Sequence, residues 1–487
     1  MPHPALPFAS ATEILAAIGG RRLSARDALE HYLERVHKYN PIVNAVVVQR
    51  IDAARAEADA ADRDLKAGVL RGPLHGLPMT VKESFDVAGL PTTWGLARFA
   101  KHTAASDAIA VRRLRSAGAI IFGKTNVPTL LADWQTYNDL YGTTNNPWDV
   151  TRSPGGSSGG AAAALAAGLT ALELGTDIGA SLRNPAHYCG VYSHKPTYDI
   201  VTLQGHTVAG LVAEPDLNVA GPMSRSARDL ELALDVIVGP DDIDAQAWRL
   251  TLPASRATTL AGLRVAILLD APNAPVDADV GRCLDELVHF LSRQGARIAL
   301  GAWPEFDRDE MHRTYLRLLR SATSRNHSSS EVEQYRTEVG PRLTDSLEYW
   351  RTAREAMVMT HRDWLGVNET RHKLRRAWQR FFQTHDALVC PVASTAAVRH
   401  DHSQPRHARL IEVNGHANPS IDQLFWAGIA TVAYLPATAM PIGCTLAGLP
   451  IGAQIIGPQY GDRTTLEIAK IVEREYYEFV PPPEFAR

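Results

Sequence analysis

Cysteine is scarce in this chain. The four present, Cys189, Cys283, Cys390 and Cys444, lie far apart, and none forms a C-x-x-C pair. That spacing argues against a disulfide framework and a thiolate zinc site. The simplest expectation is a reducing, cytoplasmic setting. An excess of charge of one sign is also missing: 50 Lys and Arg stand against 53 Asp and Glu, a formal net charge of -3. Nothing in that balance asks for nucleic acid or an anionic membrane as a partner. No apolar run reaches the roughly 18 residues that a spanning helix needs. The nearest, "AAAALAAGLTALELG", holds two glycines and a glutamate and reads as a core helix. The first residues, "MPHPALPFASATEILAAIGG", place no positive segment before an apolar one, so no signal peptide is expected. There is no G-x-x-x-x-G-K-[ST] phosphate loop. No cluster of His, Cys and carboxylates has ligand spacing, so no metal is expected.

Hydrophobic residues make up 45% and charged residues 21% of the 487, a composition that can bury a large core. Ser10 with Glu13, and Ser24 with Asp27, have the spacing of helix-start caps. Asn40-Pro41 reads as the end of the second helix. "NAVVVQR" and "PMTVKESFDV" read as strands, and "SDAIAVRRLRSAGAIIFGKTN" as a helix feeding a strand. Residues 263–300 form a strand–helix–strand pattern, and "DALVCPV" and "LPIGAQIIG" add strands late in the chain. Strands alternating with helices predict an α/β fold: a large mixed β-sheet with helices on both faces. Residues 305–380 differ, being almost entirely amphipathic helix rich in Arg, Trp and Tyr. We read residues 1–487 as one domain in which 305–380 is a helical insertion shaping the substrate entrance. The basic run "RHKLRRAWQR" (371–380) reads as a solvated helix face, because the rest of the chain is not basic.

The chemistry concentrates in three segments. The first is "RSPGGSSGGAAAA" (152–164), where glycines bracket two adjacent serines. A Gly/Ser-rich stretch is usually a flexible spacer. Here it runs straight into a helix former, and a Gly-rich turn at a helix start presents N–H groups and hydroxyls to something small and negative. Gly155, Ser157 and Gly159 also spell G-x-S-x-G, the hydrolase elbow, but the residues before it are prolines and turn formers, so no strand enters. The second segment is "LGTDIGASLRNPAHYCG" (174–190). A strand precedes a Gly-containing turn, and the N–H groups of Ile178, Gly179, Ala180 and Ser181 are placed to share a small cavity, as an oxyanion requires. The third is "PMTVKESF", with Lys82 inside an apolar strand. A strand lysine is usually an exposed-face residue. A buried one loses proton affinity and becomes a usable base.

Together, "GPLHGLPMTVKESFDV", "NNPWDVTRSPGGSSGGAAAALAAG" and "GTDIGASLRNPAHYCGVYSHKPT" resemble the amidase signature family, as do "GAIIFGKTNVP" and "AGLPIGAQIIGPQYGDRTTLEIA". The likeness covers roughly residues 10–235 and 380–475. It implies the fold of that family and a Ser–cis-Ser–Lys triad acting on amides without a cofactor. By matching motifs, Ser181 is the nucleophile, Ser157 the relay with a cis bond to Gly156, and Lys82 the base. Ser158 supports the loop, and Asp177 and Arg183 brace it. Two departures stand out. Gly179-Ala180 replaces the usual Gly-Gly, and His194, in "YSHKPT", is unusual and reads as a satisfied structural histidine. Cys189 reads as a small buried apolar group.

The resemblance implies hydrolysis of a carboxylic amide through an acyl-enzyme, with esters or carbamates as side activities. Two alternatives stay open: an amidotransferase A-type subunit releasing ammonia from glutamine, and a non-catalytic binding member. The presence of Lys82, Ser157 and Ser181 disfavours the last. Trp134, Tyr137 and Trp350 suggest an apolar or aromatic substrate group. The expected partner is a small-molecule amide, with no nucleic acid and no membrane, and a homodimer is left open.

Overall fold

The computed structural model describes residues 6–338, 348–403 and 406–486. Part of the 305–380 segment, residues 339–347, therefore lies outside the described residues.

The chain begins with helices α1 (Ala11–Gly19) and α2 (Ala25–Val43). Ser10 accepts from the Glu13 N–H and Glu13 returns the bond, and Ser24 accepts from the Asp27 N–H, as their spacing predicts. The second helix does not stop at Asn40-Pro41 but continues to Val43. Proline removes only one donor there, while Asn40 Oδ1 collects the N–H groups of Ala45 and Val46 at 2.9 and 2.8 Å. The actual stop is Asn44, which adopts the left-handed conformation at φ 50°.

There follow β1 (Val46–Gln49), α3 (Ile51–Lys66), β2 (Pro78–Lys82), α4 (Ile109–Ser116) and β3 (Ile120–Thr125). These strands make a three-stranded sheet in the order β1-β3-β2. A small hairpin, β4 (Tyr137–Asn138) and β5 (Gly142–Thr143), precedes α5 (Gly159–Ala166). Then come β6 (Glu173–Asp177), α6 (Arg183–Cys189), β7 (Tyr192–Lys195), β8 (Val219–Ser224), α7 (Ala227–Ile237), β9 (Arg264–Ile267), α8 (Ala278–Arg293) and β10 (Arg297–Leu300). The helical stretch holds α9 (Arg308–Thr323), α10 (Ser329–Glu338), α11 (Glu348–Met357) and α12 (His361–Thr384). The chain closes with β11 (Ala387–Pro391), a hairpin of β12 (Leu410–Val413) and β13 (His416–Pro419), α13 (Leu424–Thr431), β14 (Ala437–Cys444), β15 (Pro450–Ile456) and α14 (Asp462–Glu475).

The main sheet has eight strands in the order β10-β9-β11-β15-β14-β7-β8-β6. It is mixed: β9 pairs in parallel with β10 and β11, and the remaining pairs are antiparallel. Its central strands are buried on both faces, and alternate residues enter different cores. Val265, Ile267 and Val389 pack with Leu284 and Leu287 of α8 and Leu466 and Val472 of α14. Ala266, Leu388 and Cys390 pack with Met311 and Tyr315 of α9, Trp378 of α12 and Leu424 of α13. The fold is thus the predicted α/β layering, and α9 and α12 cover one face of the sheet. In the basic run, His372, Lys373, Arg376 and Arg380 are exposed as expected. Arg371 is not: it is buried and paired with Asp216 at 2.6 Å, because its turn of α12 faces the protein.

Helix α5 is buried along its whole length, which its Gly/Ala/Leu composition permits. It lies against β2 and β3 of the small sheet and β6 and β8 of the large one. Arg35 donates to the Ala167 and Gly168 carbonyls at its C-terminal end at 2.8 and 2.9 Å. This helix fixes the preceding Gly/Ser loop between the two sheets.

Candidate active site

Lys82 ends β2, whose five residues are all buried. Its Nζ meets three hydroxyls: Ser157 at 2.7 Å, Ser158 at 2.9 Å and Thr176 at 2.9 Å. None of these partners is a carboxylate. Burial therefore pulls the amine down to about 7, against the weaker opposing pull of Asp177 and Glu173. Glu173 is buried too and is pushed up to about 8, while Thr80 and the Leu174 N–H bond to it.

The serines arrive on the Gly-rich loop, which enters without a strand, as the residues before it predict. The Gly156–Ser157 peptide bond is cis. Gly155 has φ 85°, and a methyl group on Gly156 would lie 2.3 Å from the Asp133 carbonyl oxygen. These two glycines are required by backbone conformation and by close approach, respectively. The loop is tied in place by Thr136 Oγ1 donating to the Gly155 carbonyl at 2.8 Å and by the Gly156 N–H donating to Asn184 Oδ1 at 3.2 Å. Ser158 donates its own N–H to the Ser181 carbonyl at 3.1 Å, so the two serine segments are joined through the backbone. The Ser158 hydroxyl does more than steady the loop, since it touches Lys82 directly.

Ser181 follows β6 in a tight turn. Asp177 organises that turn, accepting from the N–H groups of Ala180 at 3.0 Å and Leu182 at 3.1 Å and from the Arg183 guanidinium at 2.9 and 3.0 Å. Arg183 in turn reaches Gln454 and Thr431 at 2.8 and 3.0 Å. This ion pair is fully buried. Burial pushes the Asp177 carboxyl up, but Arg183 and the N–H donors outweigh it and hold the group below its ordinary range. Ala180 sits at φ 64°, a conformation that favours glycine.

The turn corrects one expectation. The Ala180 N–H is committed to Asp177 and does not face the cavity. The N–H groups of Ile178, Gly179 and Ser181 have no partner among the described residues. Two further contacts aim the peptide planes. Tyr315 of α9 donates to the Ile178 carbonyl at 3.0 Å, and Trp134 Nε1 donates to the Gly179 carbonyl at 2.7 Å. In a trans peptide the C=O and the next N–H point in opposite directions. Tyr315 therefore turns the Gly179 N–H away from itself. Trp134 and Asp177 together fix the Gly179–Ala180 plane.

Ser181, Ser157 and Thr176 open into one cavity of about 160 Å³. Its walls are mostly apolar: Trp94, Leu130, Leu131, Trp134, Val208, Leu319 and Leu424. The Ser181 hydroxyl has no hydrogen-bond partner among the described residues and is free to meet a ligand. Trp134 lines the cavity and makes a contact to Gly179 that the sequence did not suggest. Tyr137 does not line this cavity. It lies with Trp350 in a neighbouring one, where Arg409 donates to its hydroxyl at 2.8 Å. Sequence reasoning missed Tyr315 altogether. It also missed Thr176, although Thr176 stands beside Asp177 in the same motif. His194 is satisfied by Thr438 and Asp462, and Cys189 is buried with its thiol pushed well up. All four cysteines are free thiols. Among the described residues, no helix is long and apolar enough to cross a membrane, and no group of three or more His, Cys, Asp or Glu side chains could hold a metal ion.

The sequence model of the Amidase family matches residues 27–466. Indoleacetamide hydrolase of Bradyrhizobium diazoefficiens is 32% identical over 474 residues, 95% of this chain and 86% of that protein. The A-type component of the glutamyl-tRNA(Gln) amidotransferase of a Synechococcus species is 30% identical over 490 residues, 95% of this chain and 96% of that protein. A solved inhibitor-bound complex, described as a vestigial protein complex that reveals the evolutionary origins of an s-triazine catabolic enzyme, superimposes with a TM-score of 0.81 at 28% identity, over 97% of this chain and 100% of that one. With a family match spanning most of its length and these relatives along it, the chain belongs to the amidase family of amide-hydrolysing enzymes.

Proposed function

We propose that the protein hydrolyses a small carboxylic amide through an acyl-enzyme on Ser181, with Ser157 as proton relay and Lys82 as base. The observation that carries this reading is the buried Lys82 amine, 2.7 Å from Ser157 in the wall of the cavity where Ser181 is open. A neutral amine has two N–H groups and one lone pair. Three hydroxyl oxygens surround it, so one hydroxyl must donate to the lone pair. The Ser158 hydroxyl faces the Thr176 carbonyl at 3.4 Å, which leaves Ser157, the nearest, suited to donate.

Lys82 takes the Ser157 proton as Ser157 takes that of Ser181. The Ser181 oxygen bonds to the amide carbon, and the N–H groups of Ile178, Gly179 and Ser181 receive the negative oxygen. The C–N bond breaks as the relay returns a proton to the leaving nitrogen. Water then adds to the acyl group by the same path and releases the carboxylate. Residues 305–380 shape the mouth of the cavity, a role supported by α9 residues Leu319 and Thr323 in its lining. A cytoplasmic setting belongs to the same proposal.

Turnover of an amide panel, with amine and ammonia measured separately, tests this. Release of amine or ammonia that is lost in Ser181→Ala supports it, and full turnover in that variant overturns it. The amidotransferase relative keeps a second reading in view, and ammonia release from free glutamine alone within the panel would favour it.

A further inference from the structure

We propose that the substrate carries a carboxylate, which Arg320 and Arg406 bind at the far end of the Ser181 cavity. This deepens the function proposed above and rests on it. Both arginines line the Ser181 cavity and also a neighbouring one of about 330 Å³, so they stand where the two meet. A guanidinium has five N–H donors. Among the described residues, Arg320 donates only to the Tyr349 hydroxyl and Arg406 only to the Ala132 carbonyl. Arg320 Nε is buried without a partner among the described residues.

Neither guanidinium forms an ion pair with a carboxylate among the described residues. The one acid on this wall, Asp133, attracts Arg406 but gives its ion pair to Arg409, at 2.6 Å. A third arginine of the cavity, Arg325, donates to the Ala213 carbonyl and adds to the positive sign. Burial pulls Arg320 down to about 9, and the charge of Arg406 adds to that pull. Two like charges held together with open donors are costly unless an anion satisfies them. A carboxylate matches such donors in geometry and charge. A purely structural role for Arg320, bracing Tyr349 with its cation over that ring at 5.3 Å, leaves the Nε donor unexplained. Most of the remaining wall is apolar, which gives the substrate its shape: an apolar body with an acidic end.

The test uses anilides in matched pairs, a fatty-acyl anilide and the ω-carboxyl anilide of the same chain length, over a series of lengths, together with N-acyl amino acids that place the carboxylate on the amine side. Initial rates give kcat and KM for each. The acidic member of at least one series should have a KM lower by roughly 10–100-fold, the scale of hydrogen bonds to charged groups, and added salt should erode the difference. Arg320→Gln and Arg406→Gln should collapse that ratio toward one. Arg320→Lys, which keeps the charge and guards against loss of folding, should retain part of it. A wild-type preference for the neutral members, or a ratio untouched by all three substitutions, would overturn the proposal. If no amide is turned over, the hydrolytic reading fails instead. Calorimetric binding of the same pairs to Ser181→Ala then still reads the carboxylate site, and equal affinity within the pairs would overturn it.

Discussion

Trp134 and Gly179 are joined by a hydrogen bond of 2.7 Å from the indole N–H to the carbonyl oxygen. The contact links the segment before the Gly/Ser loop to the turn that carries Ser181. Tyr315 on the Ile178 carbonyl sets the plane of the Gly179 N–H, while Trp134 and Asp177 hold the Gly179–Ala180 plane and so fix the turn between the Gly179 and Ser181 N–H groups that would receive a developing oxyanion. Trp134→Phe keeps most of the apolar wall and removes the bond. It should lower kcat roughly tenfold, the scale of one positioning hydrogen bond of about 1.4 kcal/mol, and change KM less. Steady-state kinetics on one amide decides this. A rise in KM at constant kcat would mean that Trp134 only contacts substrate.

The base sets the pH dependence. Burial lowers Lys82 to about 7, so below that pH the amine is charged and has no lone pair, and above it the amine is neutral. The rate constant kcat/KM should therefore rise through about pH 7 to an alkaline plateau. Glu173, when ionised, favours the charged amine and raises its proton affinity. Glu173 is itself pushed up to about 8 and is mostly protonated while Lys82 titrates, so Glu173→Gln should leave the rising limb at about pH 7. A limb that moves upward, or a profile that falls between roughly pH 6 and 9 in a folded protein, would contradict a lysine base.

Backbone approach makes a stability prediction. A methyl group on Gly160 would lie 2.4 Å from the Asn126 nitrogen and 2.5 Å from its oxygen, and neither backbone atom can swing aside. Gly160→Ala should destabilise the fold by about 1–3 kcal/mol, the usual cost of overpacking. Denaturant melts would show it as a lower midpoint. An unchanged midpoint would mean that α5 shifts freely between the two sheets.

How much of this was legible beforehand varies from place to place. Local signals survived: the caps at Ser10 and Ser24, the helix after the Gly/Ser loop, and the βαβ pattern from residue 263. The motif residues were also legible as neighbours: Ser157 and Ser181 line one cavity, and Lys82 lies 2.7 Å from Ser157. What was lost depends on partners distant in the chain. Tyr315 meets Ile178 across 137 positions, and no local pattern marks it. The Ala180 N–H looked available until the Asp177 carboxylate was seen beneath it. Tyr137 lines the neighbouring cavity and meets Arg409, a partner 272 positions away that no local pattern marks. The helix past Pro41 continued because the side chain of Asn40 and the left-handed Asn44 set its end.

Among possible measurements, mapping a serine-directed phosphonate bears most directly on the division of labour between the serines. Ser181 is the open hydroxyl, while Ser157 and Ser158 both lie against Lys82. The account predicts a single adduct on Ser181, absent in Ser181→Ala. It predicts labelling slowed, but still on Ser181, in Ser157→Ala, with kcat down by roughly 10²–10⁴, the scale of general acid–base catalysis. Ser158→Ala should lose far less, because it leaves the relay in place. An adduct on Ser157, or equal losses at Ser157 and Ser158, would contradict the assignment of Ser181 as nucleophile and Ser157 as relay.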